Sequence, residues 1–277
     1  MFTSPGPEII SWPITIRWYG VLIAAGALIG LHLATREADR RGLDADALTT
    51  ATLVAMLVGF VCARAYYVAF NWDVYASRPA DIPAIWKGGI AIHGGLIGGI
   101  TAGVVYMRWW RRLPVAPYLD VAAPSLALAQ AIGRWGNFFN SEAYGRPTDL
   151  PWKLYIPPER RVPGFEAYDF FHPTFLYESL WNLGVFLVLW FGLRRRLAPR
   201  PGALFLCYLG LYSVGRFFIE GLRLDSLMAG GLRAAQVVSL VLVVVSAVGL
   251  LVLLRQRPPR TTPAAGPDTA GRARARR

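Results

Sequence analysis

The chain has 277 residues, of which 55% are hydrophobic and only 17% charged, and its mean hydropathy is +0.38. Soluble domains carry about 25% charged residues, so this composition excludes an ordinary soluble domain and points to repeated membrane spans. The formal net charge of +12 follows the loops, and we read it as a topology signal with no nucleic-acid partner.

Spans of about 20 mostly apolar residues are expected, in chain order, at Arg17–Thr35, Leu48–Phe70, Gly89–Trp109, Tyr118–Phe139, Thr174–Leu193, Gly202–Ile219 and Ala235–Leu254. The second contains Arg64, the third His93 near its start, the fourth Arg134, and the sixth Arg216 near its end. The seventh contains no charge. No basic segment or small-residue cleavage site precedes the first span, which is therefore expected to stay in place. The fold class expected is all-α, a polytopic membrane protein of seven transmembrane helices. Residues 1–254 would form a single transmembrane catalytic domain.

Loop charge sets the expected orientation. Of the 29 basic residues, 17 fall on the side of Arg36–Arg41, Arg108–Arg112, Arg194–Arg200 and the tail. That side is expected to be cytoplasmic, with the N-terminus outside and the C-terminus inside. The loop 140–173 carries prolines at Pro147, Pro151, Pro157, Pro158 and Pro163 together with several aromatics. A loop of this length is expected to be an ordered outer-face cap. Residues 255–277 are rich in Pro, Ala and Arg and are expected to be a disordered basic cytoplasmic tail.

With this orientation, the unusual polar residues of six spans fall in the outer half of the membrane. They are Tyr19, Arg64, His93, Arg134, Glu178 with Asn182, and Arg216. Snorkelling side chains would scatter between both faces, whereas these converge on one depth, as a shared polar cavity requires. A charge in mid-bilayer costs about 2.5–3.5 kcal/mol on insertion scales, so each needs a partner or a task. Arg134 and Asn137 share a helix face, and Asn140, Glu142 and Gly145 lead out of the same run. Arg216, Glu220 and Arg223 are spaced by four and three, again on one face. That spacing alone is satisfied by an internal ion pair. Joined with Arg134 it makes a guanidinium cluster suited to a phosphate, and the phosphate at that depth is a membrane lipid head group. Glu220 would orient one arginine. His93, bordered by Gly94 and Gly95, is either a structural helix residue or an acid–base group. Tyr19 is either an interfacial aromatic or a head-group donor. Gly94 and Gly98, and Gly95 and Gly99, have the small-xxx-small spacing of close helix contacts. Cys62 and Cys207 sit in apolar runs and the three histidines are scattered, so neither a metal nor a cofactor is expected.

The run Gly133-Arg134-Trp135-Gly136-Asn137-Phe138-Phe139-Asn140-Ser141-Glu142, ending at Gly145, resembles the signature of bacterial prolipoprotein diacylglyceryl transferases. The resemblance extends, in the family's order, through Trp18-Tyr19-Gly20, His93-Gly94-Gly95-Leu96, His172-Pro173-Thr174, Tyr177-Glu178 and Arg216 to Arg223. Phe175 departs from it, standing where a glutamine is expected.

The resemblance implies an enzyme of the bacterial inner membrane with its active site toward the outer leaflet. It would move the diacylglyceryl group of phosphatidylglycerol onto the lipobox cysteine thiol of a preprolipoprotein signal peptide, releasing glycerol 1-phosphate. On this reading Arg134, Arg216 and His93 are catalytic. Arg134, Asn137, Asn140, Tyr19, Glu142, Gly145, Glu220 and Arg223 bind the phospholipid. A transporter for an anionic lipid is the competing reading, but it requires a polar path across the whole bilayer, and the inner halves of the spans are apolar. A scaffold with internal ion pairs is a third, and it leaves Gly133–Gly145 unexplained.

Overall fold

The structure is a computed structural model that describes residues 1–12, 15–226, 228–229 and 231–256. Its helices are α1 (Trp18–Arg40), α2 (Ala45–Phe70), the short α3 (Trp72–Ala76), α4 (Ile92–Val105), α5 (Val115–Asn140), α6 (Thr174–Leu187), α7 (Ala203–Glu220) and α8 (Ala234–Arg255). A wider π-helical turn over Val188–Leu193 prolongs α6. At 1.5 Å per residue, about 20 residues cross the ~30 Å hydrocarbon core. Six helices are long and apolar enough to do so: α1, α2, α5, α6 with its extension, α7 and α8. Their outward faces carry Leu, Val, Ile and Phe side chains exposed by a third or more, as a lipid-facing surface requires.

The third expected span differs from the rest. Its helix begins at Ile92 and ends in a π-helical turn over Tyr106–Trp110. It is not among the six: its α-helix has 14 residues, and the π-helical turn that prolongs it carries Arg108. It nevertheless carries the chain from one end of the bundle to the other. At one end the Ala91 N–H donates to the Ala63 carbonyl at 3.0 Å, near the end of α2. At the other, Arg111 pairs with Asp44, just before α2, at 2.6 Å. α4 thus runs antiparallel along α2. The approach needs glycine, since a Cβ on Gly94 would lie 2.4 Å from the Cys62 carbonyl oxygen.

α5 lies beside α1 and also packs on α6 and α7, and α8 closes against α7. Asp120 of α5 is buried and caps the start of α7, accepting from the Gly202 and Phe205 N–H groups at 2.7 and 2.8 Å. Arg64 has a structural role. Its guanidinium donates to the carbonyls of Asp81, Ile82, Gly88 and Gly89 at 2.6–2.7 Å and so fixes the chain between α3 and α4.

At the end where α5 gives way to α6, the loop 140–173 is ordered. It contains β4 (Leu154–Tyr155) and β5 (Phe170–Phe171), which pair antiparallel, and the N-terminal β1 (Phe2–Thr3) joins β4 in parallel. Phe138, Tyr144, Leu154, Ile156, Phe171 and Phe175 form the core beneath this cap. Phe175, the residue that departs from the family pattern, fills that core against Trp135 and Phe138. Two further hairpins lie at this end, β2 (Glu8–Ile10) with β3 (Ile16–Arg17), and β6 (Met228–Ala229) with β7 (Leu232–Arg233). Of the expected basic tail, only Arg255 and Gln256 are described, and residues 257–277 lie outside the described residues.

Candidate active site

Burying an arginine in an apolar bundle requires a carboxylate close by, and one glutamate meets that need for three. Glu178, in the second turn of α6, is buried. Its Oε2 lies 2.5 Å from Arg134 Nε of α5, and its Oε1 lies 2.7 Å from Arg216 Nη1 of α7. Arg223, just beyond α7, approaches the same Oε1 at 3.5 Å. Arg216 also pairs with Glu220 one turn on at 2.7 Å, and Arg223 lies 3.8 Å from Glu220. Arg223 completes a two-pronged contact with Asp225 at 2.7 and 3.0 Å. Burial opposes its charge, but Asp225, Glu178 and Glu220 outweigh that and leave it more basic than usual. From the β6–β7 hairpin, Arg233 donates to the Glu220 carbonyl at 2.5 Å.

The groups named comprise four guanidiniums, Arg134, Arg216, Arg223 and Arg233, and three carboxylates, Glu178, Glu220 and Asp225, leaving one positive charge in excess. Arg134 and Arg216 keep 22% and 20% of their side chains exposed, so both retain edges open to a ligand. The hollow beside Glu178, Trp181, Asn182 and Arg216 is only about 10 Å³. The arginines therefore meet across a carboxylate and not across a wide cavity.

The end of α5 explains the next group of residues. Ser141 and Ala143 both adopt left-handed backbone, with φ of 52° and 58°. Each costs of the order of 1–3 kcal/mol in a residue other than glycine. The turn they make folds Glu142 back on the helix, where its N–H donates to the Asn137 carbonyl at 3.1 Å. Its carboxylate accepts from Asn137 at 2.9 Å and Asn140 at 3.2 Å. Gly145 then donates to the His172 carbonyl at 3.0 Å and bridges to Arg223, which ties this turn to the arginine cluster. Burial holds the His172 imidazole below its usual pKa. Its Nδ1 lies 3.2 Å from the Tyr177 hydroxyl, which also accepts from Trp152 at 2.9 Å.

Tyr19 reaches the same region from α1. Its ring lies so close on Gly136 that a Cβ there would meet Cδ2 at 2.3 Å. Gly136 stands between Arg134 and Asn137, so Tyr19, Arg134, Asn137, Asn140, Glu142, Gly145, Arg216, Glu220 and Arg223 occupy one end of the α1–α5–α6–α7 group. No hydrogen bond, ion pair or ring contact joins His93 to them among the described residues. It is exposed at the start of α4, with its ring 6.2 Å from Tyr66. Among the described residues no cluster of His, Cys, Asp or Glu forms a metal site. The residue that binds the cluster together, Glu178, was legible in the sequence as a polar group in the outer half of a span and as part of the Tyr177-Glu178 motif, but not as the partner of the arginines. The signal available was a carboxylate early in an apolar helix, in the same half of the membrane as the arginines.

A mostly helical chain with six membrane-length apolar helices is a polytopic membrane protein. The profile of the prolipoprotein diacylglyceryl transferase family matches residues 7–252, and the chain belongs to that family. It is similar to proteins named phosphatidylglycerol–prolipoprotein diacylglyceryl transferase. One from Trichormus variabilis is 53% identical over 264 residues, covering 93% of each chain. One from Synechococcus elongatus is 53% identical over 255 residues, covering 90% of this chain and 88% of the relative. One from Gloeobacter violaceus is 50% identical over 264 residues, covering 95% and 98%.

Proposed function

We propose that this protein transfers the diacylglyceryl group of phosphatidylglycerol to a preprolipoprotein, the first step of lipoprotein maturation, and that the Glu178-centred cluster is where the lipid reacts. The acceptor is the thiol of the lipobox cysteine. Its sulfur forms a bond to the glycerol carbon of the lipid as the bond from that carbon to the phosphate oxygen breaks. The thiol proton passes to a base, and glycerol 1-phosphate leaves with the bonding electron pair.

The carrying observation is the convergence of Arg134 from α5 with Arg216 and Arg223 from the end of α7 on one buried carboxylate of α6. As the carbon–oxygen bond breaks, charge grows on the leaving phosphate, and donors already in place stabilise it without reorganising. Arg134 and Arg216 are the groups assigned to the phosphate, with Arg223, Glu220 and Glu178 orienting them. Asn137, Asn140 and Tyr19 flank the head group, Glu142 holds the two amides, and Gly145 ties the turn to Arg223. His93 is the first candidate for the thiol proton. It is exposed, and α4 starts at the same end of the bundle as Tyr19. The seven crossings, the N-outside orientation, the bacterial inner membrane and the placement of the site toward the outer leaflet belong to the same proposal.

The test is transfer from labelled phosphatidylglycerol to a lipobox peptide in detergent, with no ion gradient. Arg134→Gln is expected to lower the rate by at least roughly 10²-fold, the scale of losing one preorganised donor. His93→Gln is expected to slow transfer and to shift its pH profile. A wild-type rate in the first variant defeats the phosphate assignment, and an unchanged rate and profile in the second removes the histidine from the chemistry.

A further inference from the structure

The end of the bundle opposite the Glu178 cluster carries a second arginine cluster, and its chemistry is not accounted for by holding the helices together. Glu37, in the last turn of α1, is 2% exposed. It accepts from Arg40 at 2.5 and 2.7 Å, from Arg41 at 2.8 Å and from Arg194 at 2.8 Å. A carboxylate has about four acceptor positions, so these bonds fill it. Within this hydrogen-bonded group one negative charge is set against three positive ones, and Asp120 adds a second carboxylate within Coulombic range of Arg41.

Each guanidinium carries five N–H donors. Arg40 gives two to Glu37, Arg41 gives one there and one to the Arg194 carbonyl at 3.2 Å, and Arg194 gives one. The Nε of Arg194 is buried with no hydrogen-bond partner among the described residues. The Arg194 guanidinium lies 3.9 Å over the Trp190 ring, which fixes its plane. Arg40 keeps 43% of its side chain exposed, and Arg36, Arg195 and Arg196 are exposed around the group. Three oriented forks with a filled counter-ion and spare donors suit a phosphate ester. They sit where the membrane-length helices α1 and α6 end, which is where a helix that crosses a bilayer meets the head groups.

We propose that Arg40, Arg41 and Arg194, splayed by Glu37, form a second binding site for the phosphate of an anionic phospholipid, in the leaflet opposite the reacting one. Glu37 acts as a spacer that holds the guanidiniums apart and aimed. The bound lipid neutralises the excess charge and clamps the end of α1 to the end of α6. Free inorganic phosphate carries the same chemistry but lacks the acyl chains that hold a lipid against the apolar faces of these helices.

The experiment uses the full-length protein in phosphatidylcholine nanodiscs doped with phosphatidic acid, with retained lipid counted by native mass spectrometry. Wild type is expected to retain one phosphatidic acid more than Arg40→Gln, whose affinity for that lipid falls roughly fivefold or more per guanidinium removed. Arg40→Lys keeps the charge without the fork and is expected to fall between them. Transfer by the outer site in detergent is expected to be unchanged in both variants, which reports that they are folded. Titration with inorganic phosphate alone is expected neither to displace the lipid nor to raise the thermal midpoint. Equal retention by wild type and Arg40→Gln overturns the site, and binding of phosphate alone with the lipid's affinity overturns its assignment to a lipid. Should Arg40→Gln fail to fold, the comparison of wild type with Arg40→Lys decides the same question.

Discussion

At the residue scale the molecule turns on Glu178. Its side chain is 5% exposed and faces three guanidiniums. Breaking a buried charge pair by removing one partner costs about 3–5 kcal/mol, and here the loss would leave Arg134, Arg216 and Arg223 to repel one another. Glu178→Gln preserves volume and removes the charge. It is expected to lower the thermal unfolding midpoint and to reduce transfer, because the arginines would no longer be held in register. Glu178→Asp keeps the charge on a shorter arm and is expected to recover part of the midpoint. A glutamine variant as stable and active as wild type would show that the arginines are organised by something else. The sequence exposed the local half of this arrangement, since Arg216, Glu220 and Arg223 are neighbours by helical spacing alone. The pairing of Glu178 with Arg134 joins α5 to α6 and has no signature in spacing. Asn137 and Asn140 were expected beside the head group. The structure has them donating to Glu142, through a turn of two left-handed residues, neither of them glycine, that no sequence pattern marks.

At the scale of single elements, hydropathy located the long helices because apolar length is what a bilayer selects, and Thr174–Leu193 is reproduced residue for residue. It also placed the third span over Gly89–Trp109, of which α4 is the α-helical part. The small-xxx-small spacing of its glycines marked the face that lies against α2. The π-helical turns that end α4 and extend α6 are set by packing and leave no period in the sequence. Gly94 offers the direct test. A Cβ there would meet both the Cys62 carbonyl oxygen and Tyr66 Cβ at 2.4 Å, and the first of these is backbone that no side-chain rotation relieves. Gly94→Val is expected to push α4 from α2 and cost about 1–3 kcal/mol, the usual range for overpacking, read as a lower thermal midpoint. Gly184, with open space where its Cβ would be, is the control, and Gly184→Ala is expected to change the midpoint little. Equal effects in the two variants would mean that α2 and α4 are not held by this contact.

At the scale of the whole molecule, the question is how many times the chain crosses. Six helices have the length and apolarity on their own, and an even number would return the C-terminus to the side of the N-terminus. The packing argues for a seventh crossing. α4 leaves the chain at the Asp44 end of α2, where Arg111 is paired, and from there α5 returns to the end at which β1 and β4 join. Exposed tryptophans flank it, Trp86 before and Trp109 and Trp110 after, at 80%, 68% and 82% exposure, as expected where a helix leaves a bilayer at each interface. Single cysteines at Arg78, Trp110, Glu159 and Arg195, in a protein whose Cys62 and Cys207 have been replaced, would read the topology directly. With an impermeant thiol reagent on intact cells, Arg78→Cys and Glu159→Cys are expected to label, and Trp110→Cys and Arg195→Cys only after the membrane is opened. Labelling of Arg78→Cys and Trp110→Cys from the same side would remove α4 from the crossings. The reverse pattern at all four positions would turn the protein over, place the Glu178 cluster in the inner leaflet and overturn the proposed orientation.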